Sequence, residues 1–163
     1  MEAVNKTRLF NASCVALVVT ALAFATRGSF IESWTNEFNL THTQVGWIVG
    51  TAFWGFTLAM VLGGPLVDIV GIGKILAIAF FCHVAGIVFT IVAKGFWSLF
   101  ISTALIGIAN GSVEAACNPL ITSMYTGEKT RRLNRFHAWF PTGIVIGGLV
   151  VFAFNKTGLS DWR

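Results

Sequence analysis

Gly107-Ile-Ala-Asn-Gly-Ser-Val-Glu-Ala-Ala-Cys-Asn-Pro119 carries the reading of this chain. It lies in an apolar run from about Phe96 to Met124. That run is long enough to cross a bilayer, which takes about 20 residues of helix. Glu114 is its only formal charge. An ionisable group in a span is costly, and such groups face a cavity or a partner rather than lipid. Asn110, Glu114 and Asn118 recur every four residues and so share one helix face. A face of amide, carboxylate and amide suits a hydroxyl-rich solute. Glu114 is then the hydrogen-bond acceptor and the candidate proton carrier. The alternative is an interhelical salt bridge or a structural hydrogen-bond cluster.

Working outward, four more apolar runs appear, at about Leu9–Ile31, Thr43–Val67, Gly73–Ala93 and Phe136–Phe154. Only 11% of the 163 residues are charged, against about 25% in soluble domains. The fold class expected is all-α, a polytopic transmembrane bundle of five spans. The net charge of +4 is not a nucleic-acid footprint, because the basic residues lie mostly in short connections. Lys6, Arg8, Lys74, Lys129, Arg131, Arg132 and Arg135 fall on the N-terminal side. Lys94, Lys156, Arg163 and Arg27 fall on the other, which places the N-terminus in the cytoplasm. The first run lacks a clear small-residue cleavage site, so no cleavable signal peptide is expected. Cys14, Cys82 and Cys117 sit in separate runs and read as packing residues. No metal site, disulfide framework or cofactor is expected. Nucleotide-loop, zinc-protease and esterase motifs are absent, so the chain is not expected to be an enzyme.

Other residues stand out against the apolar background. Arg27 lies near the far end of the first run and could snorkel to the interface or bind an anion. Helical rise offsets it from Glu114 along the membrane normal. His137 and Trp139 begin the fifth run and are candidate cavity residues. His83 lies in otherwise apolar surroundings and is less promising. Trp47 and Trp54 share a face of the second run, where Trp47 could stack on a solute. Small residues four apart, Gly46/Gly50, Gly107/Gly111/Ala115 and Gly143/Gly147, suit close helix packing in lipid. Pro119 and Pro141 each free a carbonyl four residues earlier, at Ala115 and His137.

Between the second and third runs lies Gly64-Pro-Leu-Val-Asp-Ile-Val-Gly-Ile-Gly-Lys74. Its glycines read as a tight turn, with Asp68 and Lys74 available for ion pairs. Gly64, Leu66, Asp68 and Gly71 resemble the Gly-x-Leu-x-Asp-x-x-Gly loop of the major facilitator superfamily. Ile72 and Gly73 replace its basic pair, leaving Lys74. Glu114-Ala-Ala-Cys-Asn-Pro119 resembles the Glu-x-Ala-x-Asn-Pro signature of the fucose–galactose–glucose:proton symporter group. Arg132-Leu-Asn134 also fits that group.

The resemblance implies a truncated N-terminal domain over residues 1–163, five spans of a six-helix half whose C-terminal partner half is missing. It implies a secondary transporter in a bacterial inner (plasma) membrane, moving a monosaccharide or similar polar solute together with a proton by alternating access. Glu114 would couple the proton and bind substrate. Asn110, Asn118, His137, Arg27, Trp47 and Trp139 would contribute to the substrate site. Gly64, Asp68, Gly71 and Lys74 would form the gating loop. The group's acidic companion in the first helix has no counterpart here; its position falls near Gly28. A sugar-contacting Gln falls on His137, and a nearby Asn on Phe140. Two other readings are an organic-anion transporter of the same superfamily and a non-transporting membrane scaffold.

Overall fold

The structure, a computed structural model, describes residues 5–157 and Trp162. Among them are six helices: α1 (Lys6–Glu37), α2 (His42–Val70), α3 (Ile72–Ile91), α4 (Phe96–Met124), α5 (Lys129–His137) and α6 (Trp139–Lys156). With α5 and α6 taken together, five helical segments are long and apolar enough to cross a membrane. The all-helical membrane fold is the one the apolar runs predict.

The helix limits depart from the runs at three places. First, α1 continues six residues past Ile31, through polar sequence, to Glu37. Trp34 explains the extension: it is buried in a cluster with Leu40, Ile48, Ala93 and Leu99, which holds the last turns against α2 and α4. Second, α2 runs through Gly64 and Pro65 to Val70. The turn expected across Gly64–Lys74 therefore contracts to Gly71. Its φ of 88° is the left-handed region where glycine is favoured, and its N–H donates to the Val67 carbonyl at 2.9 Å. Third, the expected fifth span is divided at Ala138. Pro141 has no N–H to donate, and its ring opposes the His137 carbonyl, so a continuous helix is disfavoured there. Restarting at Trp139 puts Pro141 in the first turn of α6, where no intrahelical donor is required.

Helix starts follow from local chemistry. The Asn5 side chain accepts from the Arg8 N–H at 2.9 Å and caps α1. Thr41 and Gln44 form a reciprocal box at the start of α2. The Gln44 N–H donates to Thr41 Oγ1 at 3.2 Å, and the Thr41 N–H donates to Gln44 Oε1 at 2.9 Å.

The central element is α4, which packs on α2, α3 and α1, while α1 packs on α6. Lipid gives little hydrophobic drive between spans, so close van der Waals approach has to supply the attraction. Glycine makes it possible. A Cβ on Gly107 would collide with the Ala52 carbonyl, and one on Gly111 with the Phe56 carbonyl. Cβ atoms on Gly143 and Gly147 would lie 2.6 and 2.8 Å from the Ala21 and Ala25 methyls of α1. Gly46 and Gly50 meet no other helix; on α2 the seam is carried instead by Gly55 and Gly63.

Candidate functional site

Four helices converge on Glu114. Thr20 and Phe24 of α1, Ala52, Phe53 and Phe56 of α2, Asn110 and Glu114 of α4, and Phe140 of α6 line a cavity of about 250 Å³. The Gly107 and Gly111 contacts fix the height of α2 against α4, which sets Ala52 and Phe56 opposite the polar face. The Gly143 contact seats α6 on α1 and brings in Phe140. The Phe24 ring meets Phe53 edge-on at 5.8 Å and lies 6.4 Å from Phe140. The cavity therefore has aromatic walls and one polar strip. Glu114 is half-buried and has no ion pair among the described residues. Its electrostatic neighbours are His137 and Asn118. Asn118 Oδ1 is buried with no hydrogen-bond partner.

The residues singled out by sequence do not all meet here. Asn110 and Glu114 share the cavity, with Asn118 one turn further along α4. His137 is exposed and acts on Glu114 from α5. Arg27 lies elsewhere. Its guanidinium donates to Thr90 Oγ1 at 2.6 Å, Ser102 Oγ at 3.0 Å and Thr103 Oγ1 at 3.3 Å. Its charged carbon sits 5.5 Å from the Trp34 ring centre. Ser102 and Thr103 precede Glu114 by eleven or twelve residues, about 17 Å of helix at 1.5 Å per residue. Arg27 and Trp34 line a second cavity of about 450 Å³, along with His83 and Thr90. Trp34 Nε1 is also buried without a hydrogen-bond partner.

Trp47 and Trp54 stack edge-on at 5.2 Å on an exposed face of α2, outside the Glu114 cavity. Trp139 lines a third cavity with Phe10, Cys14 and Arg135. Gly64, Asp68 and Lys74 are exposed around the α2–α3 turn, and Asp68 and Lys74 form no ion pair with each other. Among the described residues, no group of three His, Cys, Asp or Glu side chains could hold a metal ion.

Sequence reasoning missed two features. The first is the phenylalanine wall. Phe53 and Phe56 could have been found by projecting α2 against the Gly107/Gly111 seam, but Phe24 and Phe140 depend on how α1 and α6 are seated. The second is His83, whose Nε2 lies 2.9 Å from Asn110 Oδ1 across the α3–α4 contact. A buried imidazole needs a polar partner, and Asn110 is an amide near the same depth on the next helix.

A helical membrane protein with an aromatic-walled, acidic cavity is the class that this arrangement defines. Residues 13–163 match the Major Facilitator Superfamily, and the chain belongs to that family of transporters. It is similar to a D-xylose transporter of Levilactobacillus brevis, 28% identical over 131 residues, covering 78% of this chain and 28% of the relative. It is also similar to the solute carrier family 2, facilitated glucose transporter member 10 of Danio rerio, 27% identical over 128 residues, covering 78% of this chain and 25% of the relative. The chain thus spans about a quarter of the length of the curated relatives it matches. No solved structure matches it significantly.

Proposed function

We propose that these residues form the N-terminal part of a secondary transporter for a monosaccharide or similar polar solute, with Glu114 at the substrate site. The observation that carries the reading is the composition of the Glu114 cavity. A sugar has apolar ring faces and a rim of hydroxyls. Phe24, Phe53, Phe56 and Phe140 offer surfaces for the faces, while Asn110 and Glu114 offer hydrogen bonds to the rim. Complete ligand pockets run to about 300–1,000 Å³, and this cavity measures about 250 Å³. Superfamily sites lie between two six-helix halves, so a second half would supply the opposing wall. Both named sugar transporters among the relatives agree with this substrate class.

Proton coupling is the finer part of the proposal. Glu114 is the sole carboxylate in the cavity and has no cation paired to it within bonding distance. A carboxyl placed so can exchange its proton when the cavity changes the side it faces. In this scheme the N-terminus is cytoplasmic and the bilayer is a plasma membrane. The test is uptake of D-xylose and D-glucose by the complete transporter in vesicles, with and without an inward proton gradient. Gradient-stimulated uptake of either sugar is expected. A gradient-independent flux would leave facilitated sugar transport standing and remove the proton. Uptake of neither sugar would overturn the substrate class.

An organic-anion substrate is less well supported, because Arg27, the part-buried cation bonded to Thr90, Ser102 and Thr103, lines the other cavity.

A further inference from the structure

His83 of α3 and Asn110 of α4 meet across a helix contact, and each lines a different cavity. Both are at least nine-tenths buried, at 8% exposure. Both ring nitrogens of His83 face oxygens: Nε2 is 2.9 Å from Asn110 Oδ1, and Nδ1 is 3.2 Å from the Ala79 carbonyl. A neutral imidazole has a single N–H and cannot donate to both.

Two arrangements resolve the conflict. In one, the ring is an imidazolium; Nε2–H donates to Asn110 Oδ1 and Nδ1–H donates to Ala79. In the other, the ring is neutral with its proton on Nδ1, and the Asn110 amide is turned over so that Nδ2–H donates to the bare Nε2. The two amide orientations have the same shape and are distinguished only by their hydrogen bonds. They differ in what they leave for the Glu114 cavity. The imidazolium leaves the Asn110 NH2 group, a donor. The neutral ring leaves the carbonyl oxygen, an acceptor.

We propose that His83 is a positioning residue for the cavity: the proton on its Nε2 decides whether Asn110 offers a donor or an acceptor to the ligand beside Glu114. This rests on the reading of that cavity as a sugar site, and it assigns the site a second titrating group. Only one proton moves, onto or off Nε2, and the amide rotates to follow it. The charged groups around His83 are few. On α4 it is Glu114, one turn beyond Asn110. From α1, Arg27 lines the same cavity as His83. On α3 itself Lys74 lies two turns or more away, and α2 carries only His42 and Asp68, near its two ends. No carboxylate among the described residues pairs with the ring.

The first test uses the complete transporter, labelled with 15N-histidine and reconstituted in bicelles, with His83→Gln identifying the His83 signals. As the pH is lowered, His83 is expected to pass from a neutral ring protonated on Nδ1 to an imidazolium donating from both nitrogens. Asn110→Leu removes the hydrogen bond at Nε2 and should shift the Nε2 signal, while the proton on Nδ1, held by the Ala79 carbonyl, stays. A neutral ring protonated on Nε2, or a spectrum indifferent to Asn110→Leu, would overturn the proposal. The second test is D-xylose binding to the complete transporter. His83→Gln, which keeps a polar partner for Asn110 but cannot titrate, should bind within about twofold of wild type while losing its part of the pH profile. His83→Leu should bind about tenfold more weakly, as expected for one lost hydrogen bond. A His83→Gln profile identical to wild type would contradict the switch. If wild type itself binds no D-xylose, the sugar reading fails, and the NMR result alone decides the His83–Asn110 pairing.

Discussion

Gly111→Val tests whether the α2–α4 seam sets the cavity. Even the first added carbon collides with the Phe56 carbonyl and lies 2.8 Å from the Ala59 methyl. Carbon atoms pack at about 3.5–4.0 Å, so α2 has to retreat by about 1 Å. No rotamer relieves the overlap, because the obstacles are a backbone oxygen and a Cβ. Valine adds two further methyl groups with a stiff χ1. Overpacking of this kind costs about 1–3 kcal/mol, and the absence of a flexible neighbour puts Gly111→Val near the upper end. The helix-propensity gain of valine over glycine, a few tenths of a kcal/mol, offsets little of it. At about 2–4 °C per kcal/mol for a chain of this size, the thermal midpoint in detergent should fall by roughly 6–12 °C. Gly46→Val is the control: nothing lies within 4 Å of its added carbon, so its midpoint should hardly move. Equal midpoints for the two variants would refute the claim that close approach at Gly111 positions α2.

Arg27→Met, measured in the 163-residue chain, should raise the midpoint, because it removes a part-buried charge that has three hydroxyls and the Trp34 ring but no carboxylate beside it among the described residues. Thr90 and Ser102 keep their own helical carbonyls as acceptors after the change. In the complete transporter the same variant should leave D-xylose affinity within about twofold, a change worth under 0.5 kcal/mol; a tenfold loss would place Arg27 in the substrate site. Thr41→Ala dismantles the box at the start of α2 and should cost about 1 kcal/mol, read as a midpoint lower by about 2–4 °C.

The five apolar segments were legible because length and hydropathy suffice to mark a span. Glu114 was legible because a lone carboxylate in such a span is expensive. Its companions were less so. Asn110 follows from four-residue spacing on one helix, whereas Phe24 and Phe140 enter the cavity only once α1 and α6 are seated against each other. Glycine spacing alone also misled: Gly46 and Gly50 have the same four-residue separation as Gly107 and Gly111, yet face no helix. Spacing identifies a face, and only the neighbouring helix makes that face a seam. Pro141 was visible as a disruption, but whether a proline bends a helix or starts a new one depends on the preceding turn. Helical rise separates Glu114 from Arg27, as do the α4 partners of Arg27, Ser102 and Thr103. Its hydroxyl partners come from α3 and α4 and could not be read from α1.

Glu114→Gln is the most direct measurement of the central claim. In the complete transporter, reconstituted in vesicles, sugar exchange at equal pH and uptake driven by a proton gradient are measured side by side. Glutamine keeps the shape and an acceptor oxygen for the sugar but cannot carry a proton. The expected result is sugar exchange that persists while gradient-driven accumulation disappears. Accumulation that continues unchanged in Glu114→Gln would contradict the role assigned to Glu114.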